Sequence, residues 1–121
     1  MRFATWGGVA AAVVALLVAA PLAAQPVEVS EDAMAEGEGL FVVNCRQCHG
    51  MRGTAGVPLA ENESLADAAY VADTIIHGPG YMTAFGDHLD DAQIAAIATY
   101  VRNNWGNAFG PVAPEEVASR R

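Results

Sequence analysis

Lysine does not occur in this chain. Its six cations are all arginines, set against 14 acidic residues, and the formal net charge is −8. Phosphate binding needs clustered Lys and Arg, so nucleic acid is excluded as a partner. An acidic surface of this kind chiefly keeps a protein dissolved. Strand patterning is missing too: no run alternates with period two for long, and no internal repeat or low-complexity block occurs. Cysteine is scarce, with only Cys45 and Cys48 in 121 residues.

Charge is nearly absent from the N-terminus, where Arg2 is the only charged residue before Glu28. An Ala/Val/Leu run from Val9 to Ala20 follows, then Pro21-Leu22-Ala23-Ala24. A charged start, an apolar middle and a small-residue end form a secretory signal, with cleavage expected after Ala24. The uncharged run also has the length to cross a bilayer, so residues 1–24 are read as a signal peptide or an uncleaved anchor. The expected location is periplasmic, with membrane attachment only if the segment stays on. Residues 25–30 form a short linker, residues 31–106 one domain, and residues 107–121, with Pro111 and Pro114, a flexible tail. A core of this size is marginal without extra help.

Helical signals fill the domain. Ser30 before Glu31 and Asp32 is a helix cap with acids in the first turn. The helix predicted over 31–44 places Ala33, Gly37, Leu40, Phe41 and Asn44 on one face. Residues 45–59 read as a loop broken by Gly50, Gly53, Gly56 and Pro58. A second helix is predicted over 64–76, with Leu65, Ala68, Ala69, Ala72, Ile75 and Ile76 inward, ending at Gly78-Pro79-Gly80. Residues 81–88 form another loop. Asp90 with Gln93 is a capping box opening a last helix, whose core face is Ile94, Ile97, Ala98, Val101 and Trp105. The fold class is all-α, three to four helices around one bound group.

Cys45-Arg46-Gln47-Cys48-His49 is a C-x-x-C-H pentad, the haem attachment pattern. Two thiols two residues apart can both reach the vinyl groups of one porphyrin. The following imidazole then lies under the iron. One c-type haem, covalent through two thioethers, is expected. A thioredoxin-like site needs a strand–helix context that is missing here. Tetrahedral zinc needs four ligands, and no second cysteine pair exists. A disulfide closing so tight a ring would add little stability.

His49 is the expected first iron ligand. For the sixth position the candidates are Met34, Met51, Met82, His77 and His88. Met34 precedes the motif, and Met51 is too near His49 to reach the other haem face. His77 suits a helix end, and His88 reads as a polar loop residue. Met82, in a loop between two helices, is the expected ligand; a methionine opposite a histidine raises the reduction potential. Leu59, Ile75, Ile76, Phe85, Ile97 and Val101 are suited to wall the ring. Arg52 and Trp105 are candidates to hold a propionate.

With these residues in place the chain resembles the class I cytochromes c. Gly37 and Phe41 match their first helix, and Ile97 and Tyr100 match the apolar and aromatic pair of the last. The resemblance implies that these helices cross, with glycine allowing close approach. Pro58 matches the proline of the haem loop, whose neighbouring carbonyl orients the histidine ring. Thr83 stands where the family commonly has proline after methionine. The ending from Tyr100 to Asn107 is similar to small bacterial cytochromes acting with periplasmic dehydrogenases.

The resemblance implies a single-electron carrier, or an electron-accepting haem subunit of a dehydrogenase, and no enzyme activity of the chain's own. Its partners would be redox proteins: a dehydrogenase, an oxidase or another cytochrome. The alternative is a haem enzyme or a redox or gas sensor with a labile sixth ligand. The haem edge is expected to carry no lysine ring, and to be framed instead by Met51, Val57, Tyr81 and Ala84.

Overall fold

The computed structural model describes residues 28–121, together with positions 2–4, 7–8, 12–13, 15–16 and 18–22. Much of the 1–24 segment therefore lies outside the described residues, as do positions 25–27 of the linker. Among the described residues no helix is long and apolar enough to cross a membrane.

Five α-helices are present among the described residues, and no strand. They are α1 (Glu31–Asn44), α2 (Arg46–His49), α3 (Ala68–His77), α4 (Asp91–Arg102) and α5 (Pro114–Ala118), with one 3-10 turn at Glu63–Ala66. The fold is all-α, as expected. Its caps are the ones that the residues dictate. The Ser30 hydroxyl accepts from the Ala33 N–H at 3.1 Å. Asp90 accepts from the Gln93 N–H at 2.8 Å while the Gln93 side chain accepts from the Asp90 N–H at 3.0 Å, completing the capping box.

The helix expected over 64–76 is divided. Asp67 turns its carboxylate onto the Tyr70 N–H at 3.1 Å and caps α3 afresh, so the apolar pattern runs on while the backbone does not. Leu65, Ala72, Ile75 and Ile76 are buried as expected; Val71 joins them, and Ala69 is exposed.

α1 crosses α4 closely at Gly37. A β-carbon there would lie 2.3 Å from the Ala96 carbonyl oxygen and 2.6 Å from the Tyr100 β-carbon. Only a hydrogen fits, and this brings Phe41 into an aromatic group with Tyr100 and Trp105. Its ring centroids are 5.2 to 5.4 Å apart, a spacing worth about 0.5–1.5 kcal/mol per pair beyond burial. Phe41, Ile94, Ile97 and Val117 are the largest fully buried side chains.

Residues 107–121, expected to be a flexible tail, are instead packed. Pro114 opens α5, Glu116 accepts from the Ala113 N–H at 3.2 Å, and Val112 and Val117 enter the core. Arg102 holds this segment in place. It is 4 % exposed, and its guanidinium donates to the carbonyls of Leu65 (2.7 Å), Ala66 (3.0 Å), Phe109 (2.9 Å), Gly110 (2.9 Å) and Pro111 (3.3 Å). Burial pulls the Arg102 pKa down from its ordinary value, and five carbonyl dipoles take the place of water around the charge. At the far end Arg120 pairs with Asp73 on α3, and Arg121 pairs with Asp91 on α4.

Candidate functional site

The pentad is not wholly loop. Cys45 caps α2, and Cys48 and His49 stand in its single turn. Positions three and four apart lie on one face of a helix, so Cys45, Cys48 and His49 share a side. Both cysteines are free thiols. Cys48 is exposed, while Cys45 lies at the edge of the core, packed among the residues around Phe41. Burial, and then the neighbouring Cys48, pushes the Cys45 thiol up to about 11.

His49 is set by its second nitrogen. Nδ1 lies 3.2 Å from the Val57 carbonyl oxygen. A carbonyl can only accept, so Nδ1 carries the proton and Nε2 keeps its lone pair for a metal. The acceptor is the residue just before Pro58, the neighbouring carbonyl that the family resemblance implies. Such a bond fixes ring orientation and raises the ring's strength as a ligand.

The loop from Gly50 to Asn62 is stitched down along its length. Leu59 and Ala60 both donate to the Gly53 carbonyl, at 2.7 and 3.0 Å. Gly53 sits at φ +63°, and a β-carbon on it would lie 2.7 Å from the Trp105 ring. Asn62 Nδ2 donates to the Pro58 carbonyl at 2.8 Å. Asn107 reaches in from beyond α4: its Nδ2 donates to Leu59 at 2.7 Å and Val101 at 2.9 Å, and its Oδ1 accepts from the Asn62 N–H at 3.0 Å. Sequence reasoning missed Asn107 because it fell in the supposed tail.

Met82 lies on a second loop, folded back over the end of α3. Its N–H donates to Pro79 at 3.1 Å, and the N–H groups of Phe85 and Gly86 donate to Ile75 and Ile76 at 2.9 and 3.1 Å. Gly78, at φ +58°, lets this loop approach; a β-carbon would lie 2.5 Å from the Met82 carbonyl oxygen and from the Ala84 nitrogen. Met82 is half-buried and packs against the core cluster.

The other candidate positions lie on exposed segments or on α1. His77 is exposed, with Nδ1 donating to the Asp73 carbonyl at 3.0 Å, and His88 is exposed. Met51 is exposed, and Met34 packs against the core from α1. Ile75, Ile76, Ile97 and Val101 are buried, with Leu59 and Phe85 against them. Trp105 is committed to the aromatic group, at φ +51°. Arg52 is exposed, as are Met51, Val57, Tyr81 and Ala84. The residues thus fit a c-type haem: paired thiols on one face, an imidazole with a free nitrogen and an apolar wall.

Comparison with known proteins agrees over the same region. Residues 32–101 match the family model described as cytochrome C oxidase, cbb3-type, subunit III. The chain is 38% identical over 92 residues to the cbb3-type cytochrome c oxidase subunit FixP of Azorhizobium caulinodans, which covers 64% of this chain. It spans only 31% of that protein's length. It is 32% identical over 80 residues to cytochrome c6 of Aphanizomenon flos-aquae, covering 60% of this chain and 92% of the relative. Cytochrome c6 of Diacronema lutheri is 31% identical over 81 residues, with 98% of its length covered. A match over most of the helical domain, joined to near-complete coverage of these small cytochromes, places the chain in the class I monohaem cytochrome c family, whose members hold one c-type haem covalently.

Proposed function

We propose that this chain is a periplasmic single-electron carrier, or the electron-accepting haem subunit of a larger oxidoreductase, cycling Fe(II)/Fe(III) between His49 and Met82. The observation that carries this reading is the His49 Nδ1 contact with Val57, which leaves Nε2 free on the side shared with Cys45 and Cys48. Cys45 and Cys48 would make the thioethers, and Pro58 would hold the carbonyl that orients His49. Met82 supports the reading by its place: a thioether on a glycine-bounded loop, tied to the end of α3 and packed against apolar residues. With two protein ligands the iron has no open position for a substrate. A haem held by His49 and Met82 would supply one-electron chemistry, and those ligands with the apolar wall would set its potential.

A partner in an oxidase, a dehydrogenase or another cytochrome is compatible with this surface. Met51, Val57 and Tyr81 are exposed near the loops that carry the ligands. A small apolar patch suits the brief contact of a weak redox encounter.

The test is a pair of measurements on the purified holoprotein. Haem should stay with the chain through acidic organic extraction; haem passing into the solvent overturns the covalent reading. Met82→Ala should keep the covalent haem, lower the reduction potential and let carbon monoxide bind the reduced iron readily. Ready binding to the unaltered protein at neutral pH would favour the sensor or enzyme alternative. N-terminal sequencing should start near Gln25 if the first 24 residues direct export and are removed.

A further inference from the structure

We propose that Asn107 is the positioning residue for His49, acting through the haem loop although it stands far from the motif in sequence. This rests on the reading of His49 as an iron ligand. The Val57 carbonyl that receives the His49 ring belongs to a segment with few side chains to anchor it: Val57 and Pro58 are exposed, and Leu59 is only half-buried. Something else must hold that carbonyl in line. Asn107 grips the segment on both sides of Pro58's partner network. Its Nδ2 takes the Leu59 carbonyl at 2.7 Å, two residues beyond Val57, and its Oδ1 takes the Asn62 N–H at 3.0 Å. Asn62 in turn bonds the Pro58 carbonyl at 2.8 Å.

The same Nδ2 donates to the Val101 carbonyl at 2.9 Å, so the grip is referred to the last turn of α4. Asn107 is itself 6 % exposed. A buried amide with both N–H groups and its oxygen engaged is expensive to displace, because leaving any of them unpaired costs about 1–3 kcal/mol. Backbone ties run in parallel: Leu59 and Ala60 donate to the Gly53 carbonyl at 2.7 and 3.0 Å within the loop itself, and the Glu61 N–H donates to Trp105 at 3.1 Å. The Glu61 bond is one contact at the edge of the loop, whereas Asn107 makes two to the loop and a third to α4. The result is a neutral chain from α4 to the ring: Val101, Asn107, the loop backbone, Val57, His49.

The readout is solvent exchange of the His49 Nδ1–H, followed by NMR on the holoprotein. Asn107→Leu keeps the branching of the side chain and removes every one of these bonds. It should speed exchange by about tenfold or more, the equivalent of one net hydrogen bond. Val117→Ala is the control: it removes buried apolar volume from α5 without touching the haem loop, and should lower thermal stability while leaving the exchange unchanged. A ratio below tenfold between the two variants overturns the proposal.

If Asn107→Leu yields no holoprotein, the unaltered protein decides. The Asn62 N–H and the His49 Nδ1–H should then have protection factors within tenfold of each other, since one opening releases both; a wider gap overturns the proposal. Failure of the ligand reading shows separately, as His49 ring protons without the hyperfine shift that bonding to ferric iron confers.

Discussion

Residues 57–62 hang from neutral amide groups set beside α4, whereas residues 86–91 are fastened at their outer edge by the Arg121 guanidinium. On the first side the bonds come from Asn107 and Asn62, and Asn107 is buried. On the second, Arg121 donates to the Gly86 carbonyl and, at 2.8 Å, to the Leu89 carbonyl, and pairs with Asp91. The side chains of that pair are 33 % and 36 % exposed. Buried neutral bonds are indifferent to salt and to pH between the carboxylate and lysine ranges. An exposed ion pair is worth about 0–1 kcal/mol and is screened. The outer edge of the Met82 loop should therefore respond to salt, and the loop beneath His49 should not.

The largest effect is expected at the buried charge that ties residues 109–111 to the 3-10 turn. Arg102→Ala strips five carbonyls of their donor and frees residues 109–111 from the 3-10 turn. Each buried carbonyl left without a donor costs about 1–3 kcal/mol, so the total is several kcal/mol. For a domain of this size that is a fall in melting temperature of more than about 10 °C. Arg102→Lys cannot span the same fork of carbonyls and should recover only part of the loss. A melting temperature unchanged in Arg102→Ala would show the C-terminal segment to be passive.

Gly37→Ala comes next. Its added methyl meets the Ala96 carbonyl and Tyr100 where α1 crosses α4, and neither is a free side-chain end. The helices must part, at about 1–3 kcal/mol. Denaturant unfolding of the holoprotein measures this. If the comparison is right, the spread of the helices loosens the Asn107 side more than the Met82 side, since Asn107 is referred to α4 and the Met82 loop to α3.

What could be read from the residues follows the same division between local and distant. The pentad is five consecutive side chains, and the caps at Ser30 and at Asp90 with Gln93 act over three residues. Gly37 with Phe41 was legible as one helix face. The break at Asp67 does not show in the hydrophobic spacing, which continues across it while its side chain captures the Tyr70 N–H. The C-terminal segment was misread for a deeper reason. Its prolines and glycine suggest a free chain, yet its order comes from Arg102 and Asn107. Both draw on carbonyls from distant segments, and no pattern in sequence marks a carbonyl as a partner. The pair Val112 and Val117, with Pro114 between, was the one available hint of a docked helix.

The smallest effect is the most discriminating. Arg121→Ala should cost no more than about 1 kcal/mol of stability, as expected for partly exposed charges. Its consequence should appear instead in ligand exchange at the iron. Added imidazole competes with Met82, the proposed sixth ligand, and needs the Met82 loop to open. Loosening residues 86–89 makes that opening cheaper, so imidazole affinity should rise by about threefold to fivefold. Salt must do the same to the unaltered protein, because it screens Arg121 from Asp91; between 0.05 and 0.5 M, as rough limits, affinity should climb toward that of the variant. In Arg121→Ala the salt dependence should be flat. Asn107→Leu should leave it as steep as in the unaltered protein, because no charge is involved on that side. If imidazole affinity follows salt equally with and without Arg121, the ionic fastening has no bearing on the Met82 loop, and the two loops differ in position but not in what frees them.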